Sequence, residues 1–464
     1  MTAPTAPPAR MHTANRAFRC HCGRPVFFRN DTCLACGTPL GYDPELVLLR
    51  PLAPTRDPAV WRSLRARGRG GSAPVLTYRR CANARTASAC NWLVRDDAHA
   101  RLQPLCRSCR LDRVVPDPAD RDNAQLWLRV ENAKRALVSQ LIALGLPVAS
   151  RMDEDPGAGV AFDLLRAAPG GPRVVTGHAH GIVTLDIEEA DDIHRERVRA
   201  QMGERARTLL GHLRHEIGHY YWLRLVAGTA WEGPFRALFG DERADYGAAL
   251  RLHYAQGAPA DWGRRHVSAY ASAHPWEDWA ETWAHYLHIV DALDTARSYG
   301  LVAHHDEVQY DLFTTAALGL DQPTADDLAF LALVNAWIEL TGALNEVARS
   351  TGGPDFYPFV LSAAAVRKLH LVHRVVRMAA GGWGRGGSPT GAGGVAWGEG
   401  SSTGAGGGAI GGGASGLGGW GVGQPGSGTE GTSPASAQAA ASQGASAAQP
   451  TPEAGAGQED PVIA

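Results

Sequence analysis

The sequence predicts an α+β protein with two N-terminal four-cysteine modules, a mostly helical domain that contains a small sheet, and a disordered Gly/Ala-rich tail. Three observations support this fold class. The eight cysteines all lie within the first 109 residues. Helical spacing of apolar residues begins near Ala124 and is interrupted by one β-branched hairpin pattern. Many of the 55 glycines follow Ala379, where no periodic apolar face is found.

Composition and spacing also set the expected boundaries of these parts. A Pro- and Arg-rich stretch separates the first four cysteines from the second four, which is typical of a linker. We therefore expect a disordered segment 1–17, a zinc ribbon 18–49, a linker 50–74, a second four-cysteine zinc module 75–115, a helical domain 120–378 and a disordered tail 379–464.

The overall charge does not suggest a highly charged partner. The formal net charge is -2, so bulk charge indicates neither nucleic acid nor an anionic membrane surface. The N-terminus lacks the apolar core of a signal peptide, and no stretch reaches the roughly 20 apolar residues of a membrane span. We expect a cytoplasmic protein without a membrane partner. In such a chain, paired cysteines favour metal over disulfides.

The first four cysteines have zinc-ribbon spacing. A pair separated by one residue and a pair separated by two residues are each followed by glycine, so two tight turns can complete a tetrahedral four-thiolate site. These ligands are Cys20, Cys22, Cys33 and Cys36. Such a site is closed and therefore structural, because it leaves no position for a substrate.

The second four cysteines are less regular, but they end in a proper knuckle. We expect them to form a second structural zinc site from Cys81, Cys90, Cys106 and Cys109. The alternative is a loose set of buried thiols. Nearby arginines could contact phosphate, but only Tyr78 and Trp92 could stack on bases, so binding of nucleic acid is possible and not favoured.

A hairpin is predicted across 173–187, where β-branched residues flank a Gly/His/Ala centre. His178 and His180 lie in this hairpin and could contact a substrate, although polar residues on a half-exposed strand are the commoner explanation. The helical patterns that follow place Trp276, Trp279 and Trp283 at core spacing.

The segment His215-Glu216-Ile217-Gly218-His219 has the H-E-x-x-H arrangement on an amphipathic helix. Two histidines four residues apart share a helix face and can bind one zinc ion. Zinc lowers the pKa of a bound water, so Glu216 can take its proton as general base and later deliver it to the leaving amine. The pattern predicts a zinc-dependent peptidase; a solvated polar helix face is the alternative.

A catalytic zinc needs a third protein ligand and an open position. The extended pattern with a third histidine is absent, which excludes a metzincin. Glu277 is the preferred ligand, with Glu281 one turn later to orient a ligand histidine. Glu242 or Asp241 in FGDERADY, on a predicted helix, and Glu281 itself are alternatives. The FGDER acids also suit a helix N-terminus.

Residues 270–290 are similar to a segment of the Mlc-titration-factor peptidases, in the gluzincin clan. The matching positions are Tyr270, Pro275, Glu277, Trp279 and Ala280. This resemblance implies that Glu277 is the third zinc ligand. It also implies that Tyr270 supplies a phenol that stabilises the tetrahedral oxyanion.

From Phe18 to about Val376 the chain more closely resembles a bacterial family of zinc-binding metallopeptidases with an N-terminal zinc-ribbon domain. The resemblance lies in CHCGRPVFF, CLACG, RHEIGHYYW, FGDERADY and HPWEDWAETWAHYLH. It implies a zincin-like fold and a peptidase activity without indicating a substrate.

The leading functional prediction is zinc-dependent hydrolysis of a peptide or protein substrate, with one catalytic and two structural zinc ions. One alternative is a zinc-ribbon module that binds nucleic acid or protein and carries a vestigial H-E-x-x-H site. Another is a crosslink protease that its basic ribbons direct to nucleic acid. Retention of Glu216 argues against a vestigial site, because a structural site does not need that carboxylate.

Overall fold

A computed structural model describes residues 14, 16–65, 75–97, 102–168, 170–202, 207–301 and 310–383. Most of the segments expected to be disordered, 1–17 and 379–464, lie outside these residues. The exceptions differ from the expectation. Ala14 is buried and its amide donates to Asp294, and Arg16 pairs with Asp291. Residues 379–383 continue the last helix.

The cysteine-rich region folds into two small antiparallel sheets. One pairs β1 with β2, and the other has five strands in the order β3-β4-β5-β6-β7. The strands are β1 (Phe18–Arg19), β2 (Pro25–Val26), β3 (Leu40–Asp43), β4 (Leu48–Pro54), β5 (Trp61–Ser63), β6 (Thr77–Arg80) and β7 (Leu93–Arg95).

The expected linker 50–74 is wrong for its first part, because β4 and β5 join the two cysteine modules into one sheet. Pro51 and Pro54 suggested a break, yet both lie in β4, where each faces a partner across the ladder. Arg50 is buried and donates to Ser63 on the neighbouring strand, 2.7 Å away. Residues 66–74 lie outside the described part.

A third sheet belongs to the helical domain and has the order β10-β11-β9-β8. Its strands are β8 (Asp112–Val114), β9 (Ala161–Leu165), β10 (Gly177–Ala179) and β11 (Ile182–Asp186). β10 and β11 pair antiparallel and confirm the predicted hairpin. Both turn residues, His180 and Gly181, have positive φ, as a two-residue hairpin turn requires.

Helices make up the rest of the described domain. They are α1 (Arg121–Ala143), α2 (Asp192–Met202), α3 (Leu209–Leu225), α4 (Glu232–Phe239), α5 (Tyr246–Gln256), α6 (Pro275–Tyr299), α7 (Ala325–Ser350) and α8 (Ala363–Trp383). One continuous core runs from the ribbon strands, through Tyr42 and Trp92, to the helices. The ribbons therefore pack on the helical domain.

One described helix, α7, is long and apolar enough to cross a membrane by length and composition, which the sequence analysis did not anticipate. Its residues Phe330, Val334 and Trp337 are buried in the continuous core. Core helices of soluble proteins pass the same length and composition test, so one such helix is weak evidence for a membrane span.

Candidate metal centres and active site

The H-E-x-x-H residues lie on α3, in the centre of the domain. Thr208 caps the start of this helix by accepting a hydrogen bond from the Gly211 amide at 3.0 Å. His215, Glu216 and His219 are each at most 4% exposed. The motif therefore lies on a buried face, which contradicts the alternative of a solvated polar helix face.

Helix α6 crosses this face closely because position 218 is glycine. A Cβ added to Gly218 would lie 3.1 Å from Cα of Ala280. The buried Trp279 indole donates to the Gly218 carbonyl at 3.0 Å. Pro275 begins α6 in its first turn, as predicted, and His274 caps it. This packing brings Glu277 over the two histidines.

Three potential ligand atoms converge between the helices. Nε2 of His215 lies 3.2 Å from Nε2 of His219. Oε2 of Glu277 lies 3.0 Å from the first of these nitrogens and 3.6 Å from the second. Ligand atoms that surround a zinc ion tetrahedrally at 2.0–2.1 Å are about 3.3 Å apart. The donor set and its spacing therefore fit zinc.

Glu281, the residue predicted to orient a histidine, contacts the outer side of His215. Its Oε1 lies 2.7 Å from Nδ1 of His215, and its Oε2 accepts from Ser268 Oγ at 2.6 Å. A carboxylate on Nδ1 fixes the tautomer that leaves Nε2 free to bind a metal. The structure thus brings together His215, His219, Glu277 and Glu281.

The alternative ligands in FGDERADY do not join this cluster. Glu242 forms an ion pair with Arg236 and is held at 3.0 Å from its Nε, and Asp241 pairs with Arg243. The segment was predicted to be helical, but α5 begins only at Tyr246, after the capping residue Asp245. Asp245 accepts from the Ala248 amide, which explains where the helix starts.

The pKa values of the two central carboxylates, Glu277 and Glu216, are shifted in opposite directions. Burial opposes ionisation of Glu277, but the imidazoles of His219 and His215 outweigh burial and hold the pKa of this carboxyl well below its usual range. Burial raises the pKa of Glu216. The first residue is therefore suited to bind a cation and the second to exchange a proton.

Tyr270 lies beside His215, one of the two histidines of the cluster. Its ring centroid is 6.0 Å from that of His215 and 5.8 Å from that of His253. Burial raises the pKa of the Tyr270 phenol well above its usual value. The hydroxyl therefore remains protonated near neutral pH, as a hydrogen-bond donor must.

Two aromatic side chains approach the cluster more closely than the sequence analysis predicted. Trp276, predicted as a core residue, has its ring 4.1 Å from the ring of His219. His178 of β10 stacks nearly parallel to His219 at 6.3 Å. Helical periodicity could not separate Trp276 from the buried Trp279 and Trp283, because all three share one face of α6.

The first four cysteines surround a common centre. Sγ of Cys20 lies 3.7 Å from Sγ of Cys36, and Sγ of Cys22 lies 3.9 Å from Sγ of Cys33. Thiolates at the Zn–S distance of 2.3 Å are about 3.8 Å apart in a tetrahedron, whereas a disulfide is about 2.05 Å long. The spacing fits a four-thiolate zinc site.

The second four cysteines also converge, and all four are buried. Cys90 and Cys106 have their sulfur atoms 3.6 Å apart. Cys109 faces Glu131 of α1, and Arg135 of the same helix donates to the Ser88 carbonyl beside the cluster. These contacts contradict the loose set of thiols and join the second module to the helical domain.

The arginines predicted as possible phosphate contacts, Arg79, Arg80, Arg107 and Arg110, are engaged within the protein. Arg80 donates to the Leu40 carbonyl at 3.2 Å. Arg79 pairs with Asp96, and Arg107 pairs with Glu45. Arg110 pairs with Glu154 at 2.6 Å. Tyr78 and Trp92, the aromatic residues considered for base stacking, are fully buried in the ribbon cores. These two rings cannot stack on bases without unfolding the ribbons.

Comparison with known proteins agrees with this organisation. A family model described as "Putative zinc-binding metallo-peptidase" matches residues 123–375, which include α3 and α6. A zinc-ribbon domain model matches residues 17–120, which include all eight cysteines. No solved structure matches the chain.

Mycobacterial relatives match nearly their whole length. An uncharacterised protein of Mycobacterium bovis and two of Mycobacterium tuberculosis are each 42% identical to the chain over 365 residues. The match covers 78% of this chain and 95% of each relative. The chain belongs to this family of zinc-binding metallopeptidases and carries a zinc-ribbon domain before the metallopeptidase region.

Proposed function

We propose that the protein hydrolyses peptide bonds at a zinc ion bound by His215, His219 and Glu277. The convergence of Nε2, Nε2 and Oε2 within 3.0 to 3.6 Å of one another carries this proposal. Three protein ligands leave a fourth position for water, which is the arrangement of a catalytic zinc site.

A zinc ion held by His215, His219 and Glu277 would lower the pKa of a water in the open position to about 7 and would polarise the carbonyl of the scissile bond. Glu216 takes the proton of the attacking water and later delivers it to the leaving amine nitrogen. Its raised pKa suits both transfers. Tyr270 donates a hydrogen bond to the oxygen on which negative charge develops.

We propose three zinc ions per chain, one catalytic and two structural, because the described residues contain three clusters with suitable ligand atoms. The substrate is a peptide or protein, in keeping with the family. Thiolate ligands persist in a reducing compartment, so we also propose a cytoplasmic location, which cell fractionation tests.

The proposal is tested by replacing Glu216 with Gln and measuring cleavage of a mixed peptide library by mass spectrometry. Glu216→Gln keeps the size and the burial of the side chain but removes the base. We expect zinc content to stay at the wild-type level and cleavage to fall by about 10²- to 10⁴-fold.

A matched control is Glu196→Gln, which alters an exposed carboxylate paired with Arg199 on α2. This variant should cleave at the wild-type rate. Equal cleavage by Glu216→Gln and the wild type, or no cleavage by the wild type at any zinc concentration, contradicts the proposed peptidase function.

The alternative of nucleic-acid binding through the ribbons receives no support from the arginine pairs described above. A gel-shift titration with generic DNA and RNA at low and high salt tests it, because phosphate contacts make binding strongly salt-dependent. We expect no shift with either nucleic acid at 150 mM salt.

A further inference from the structure

The FGDERADY segment lies against the metal centre, although its acidic residues do not join the cluster. It runs from Phe239, the last residue of α4, to Tyr246, the first residue of α5. Tyr246 has no part in the proposed ligand set. Its hydroxyl nevertheless donates a hydrogen bond to Oε1 of Glu277 at 2.7 Å.

The contacts of this segment hold Tyr246 beside Glu277. Gly240 has φ of 101°, and a Cβ at that position would lie 3.2 Å from Pro275, at the start of α6. Arg236 and Glu242 close the turn with an ion pair. Asp245 then caps α5. These contacts fix the position of the first helical residue relative to α6.

The ring of Tyr246 is held by the start of α6 as well. It packs edge-on against His274 at 5.2 Å and against Trp276 at 5.9 Å. His274 in turn lies 3.2 Å from the Ala244 carbonyl oxygen through its Nε2. These contacts orient the phenol so that its hydroxyl reaches Glu277.

The two oxygens of Glu277 have different surroundings as a result. Oε1 accepts from Tyr246, whereas Oε2 faces the imidazole nitrogens of His215 and His219 at 3.0 and 3.6 Å. Oε2 is buried and, apart from these two imidazole nitrogens, has no hydrogen-bond partner among the described side chains and backbone. One oxygen is thus engaged by protein, and the other is left for the metal.

We propose that Tyr246 is a positioning residue that makes Glu277 a one-oxygen zinc ligand. Carboxylates can bind metals through one oxygen or two. With Oε1 engaged by the phenol, zinc keeps three protein ligand atoms and one open position for water. The inference rests on the proposed metal site, but it concerns coordination and not cleavage.

The test is Tyr246→Phe, which keeps the ring and removes the hydroxyl. We expect the affinity of the His215, His219 and Glu277 site for zinc to fall by about 10- to 100-fold in a chelator competition, as for other residues that orient metal ligands. With cobalt in the same site, we expect weaker visible absorption, because the second oxygen of Glu277 can bind and raise the coordination number.

Tyr299→Phe is the matched control, since it removes an exposed hydroxyl at the far end of α6, 3.4 Å from the Arg16 carbonyl oxygen. This control should keep the wild-type zinc affinity and cobalt spectrum. If Tyr246→Phe fails to fold, Asp245→Ala displaces the same phenol by removing the helix cap. It should lower zinc affinity in the same direction.

Wild-type zinc affinity and cobalt absorption in folded Tyr246→Phe protein overturn the inference. These measurements are independent of cleavage. A wild-type protein that binds zinc and cleaves nothing contradicts the peptidase function and leaves the role of Tyr246 intact, so the two failures are distinguishable.

Discussion

The proposed catalytic centre and the two cysteine clusters use metal ligands in opposite ways. Each cysteine cluster offers four sulfur ligands and is closed, whereas the helical centre offers three ligands and keeps a position open. The helical centre is surrounded by proton-exchanging and hydrogen-bonding groups, namely Glu216, Tyr246, Tyr270 and Glu281. In the proposed assignment, this difference separates two structural metal sites from one catalytic site.

The two cysteine clusters also differ from each other. All four ligands of the second cluster are buried, and Arg135 of α1 donates to the Ser88 carbonyl beside the cluster. Cys36 of the first cluster is exposed, and its sulfur lies 3.2 Å from Oγ1 of Thr38. The second cluster lies between the ribbon and the helical domain, so its metal should matter more for the stability of the whole protein.

The largest expected effect is therefore from Cys106→Ser. Structural zinc binds to zinc-finger peptides with an apparent free energy of about 10–16 kcal/mol, and this binding free energy becomes folding free energy. We expect Cys106→Ser to lose one zinc and most of its cooperative thermal unfolding transition, measured by circular dichroism. Cys36→Ser should lose one zinc with a smaller decrease in Tm. Equal melting curves for Cys106→Ser and Cys36→Ser would contradict the larger contribution of the second cluster to stability.

Tyr270→Phe should affect catalysis without affecting metal content. Removal of one donor to a developing oxyanion costs about 10²- to 10³-fold in kcat. Steady-state kinetics with a cleaved peptide, together with zinc analysis, measures this effect. Loss of zinc in Tyr270→Phe would assign the phenol to the metal site and not to the oxyanion.

Glu281→Gln should have a smaller effect than Tyr270→Phe, and the affected quantity is zinc affinity. Its Oε1 contacts His215 Nδ1 at 2.7 Å, so the substitution weakens the orientation of this ligand. We expect a loss of about 10- to 100-fold in zinc affinity, measured by chelator competition. Ser268→Ala, which removes the donor to the other oxygen, should shift affinity in the same direction and by less.

Gly218→Ala tests the packing that brings the two helices of the centre together. The added methyl group would meet Ala280 at 3.1 Å. We expect a decrease of about 1–3 kcal/mol in the free energy of unfolding, measured with urea. The Gly233→Ala variant, whose added Cβ has no described neighbour within 4 Å, is the control.

The sequence predicts those features that depend only on residues close together in the chain. The spacing of His215 and His219 determines that they share a face in any helix, and the cysteine pairs follow from tight turns. The pairing of β10 with β11 also followed from a short local pattern. Each of these features needs only a few neighbouring residues.

Features that depend on distant packing were harder to predict. The predicted linker 50–74 is wrong in its first part, because prolines are uncommon in strands and the pairing of β4 depends on strands on both sides. The prediction that Asp241 and Glu242 lie on a helix is wrong. Glu242 forms an ion pair with Arg236, and α5 begins only after its cap at Asp245. The role of Tyr246 arises only when α5 and α6 meet, and no local signal reveals it.

We assign Glu277, and not Glu242, as the third ligand, and the number of zinc ions per chain tests this assignment. Purified wild-type protein, Glu277→Ala and Glu242→Ala should be compared by metal analysis after gel filtration. We expect three zinc ions per chain in the wild type and in Glu242→Ala, and two in Glu277→Ala, in accord with the three described clusters. Three zinc ions in folded Glu277→Ala protein, or two in Glu242→Ala, would contradict it.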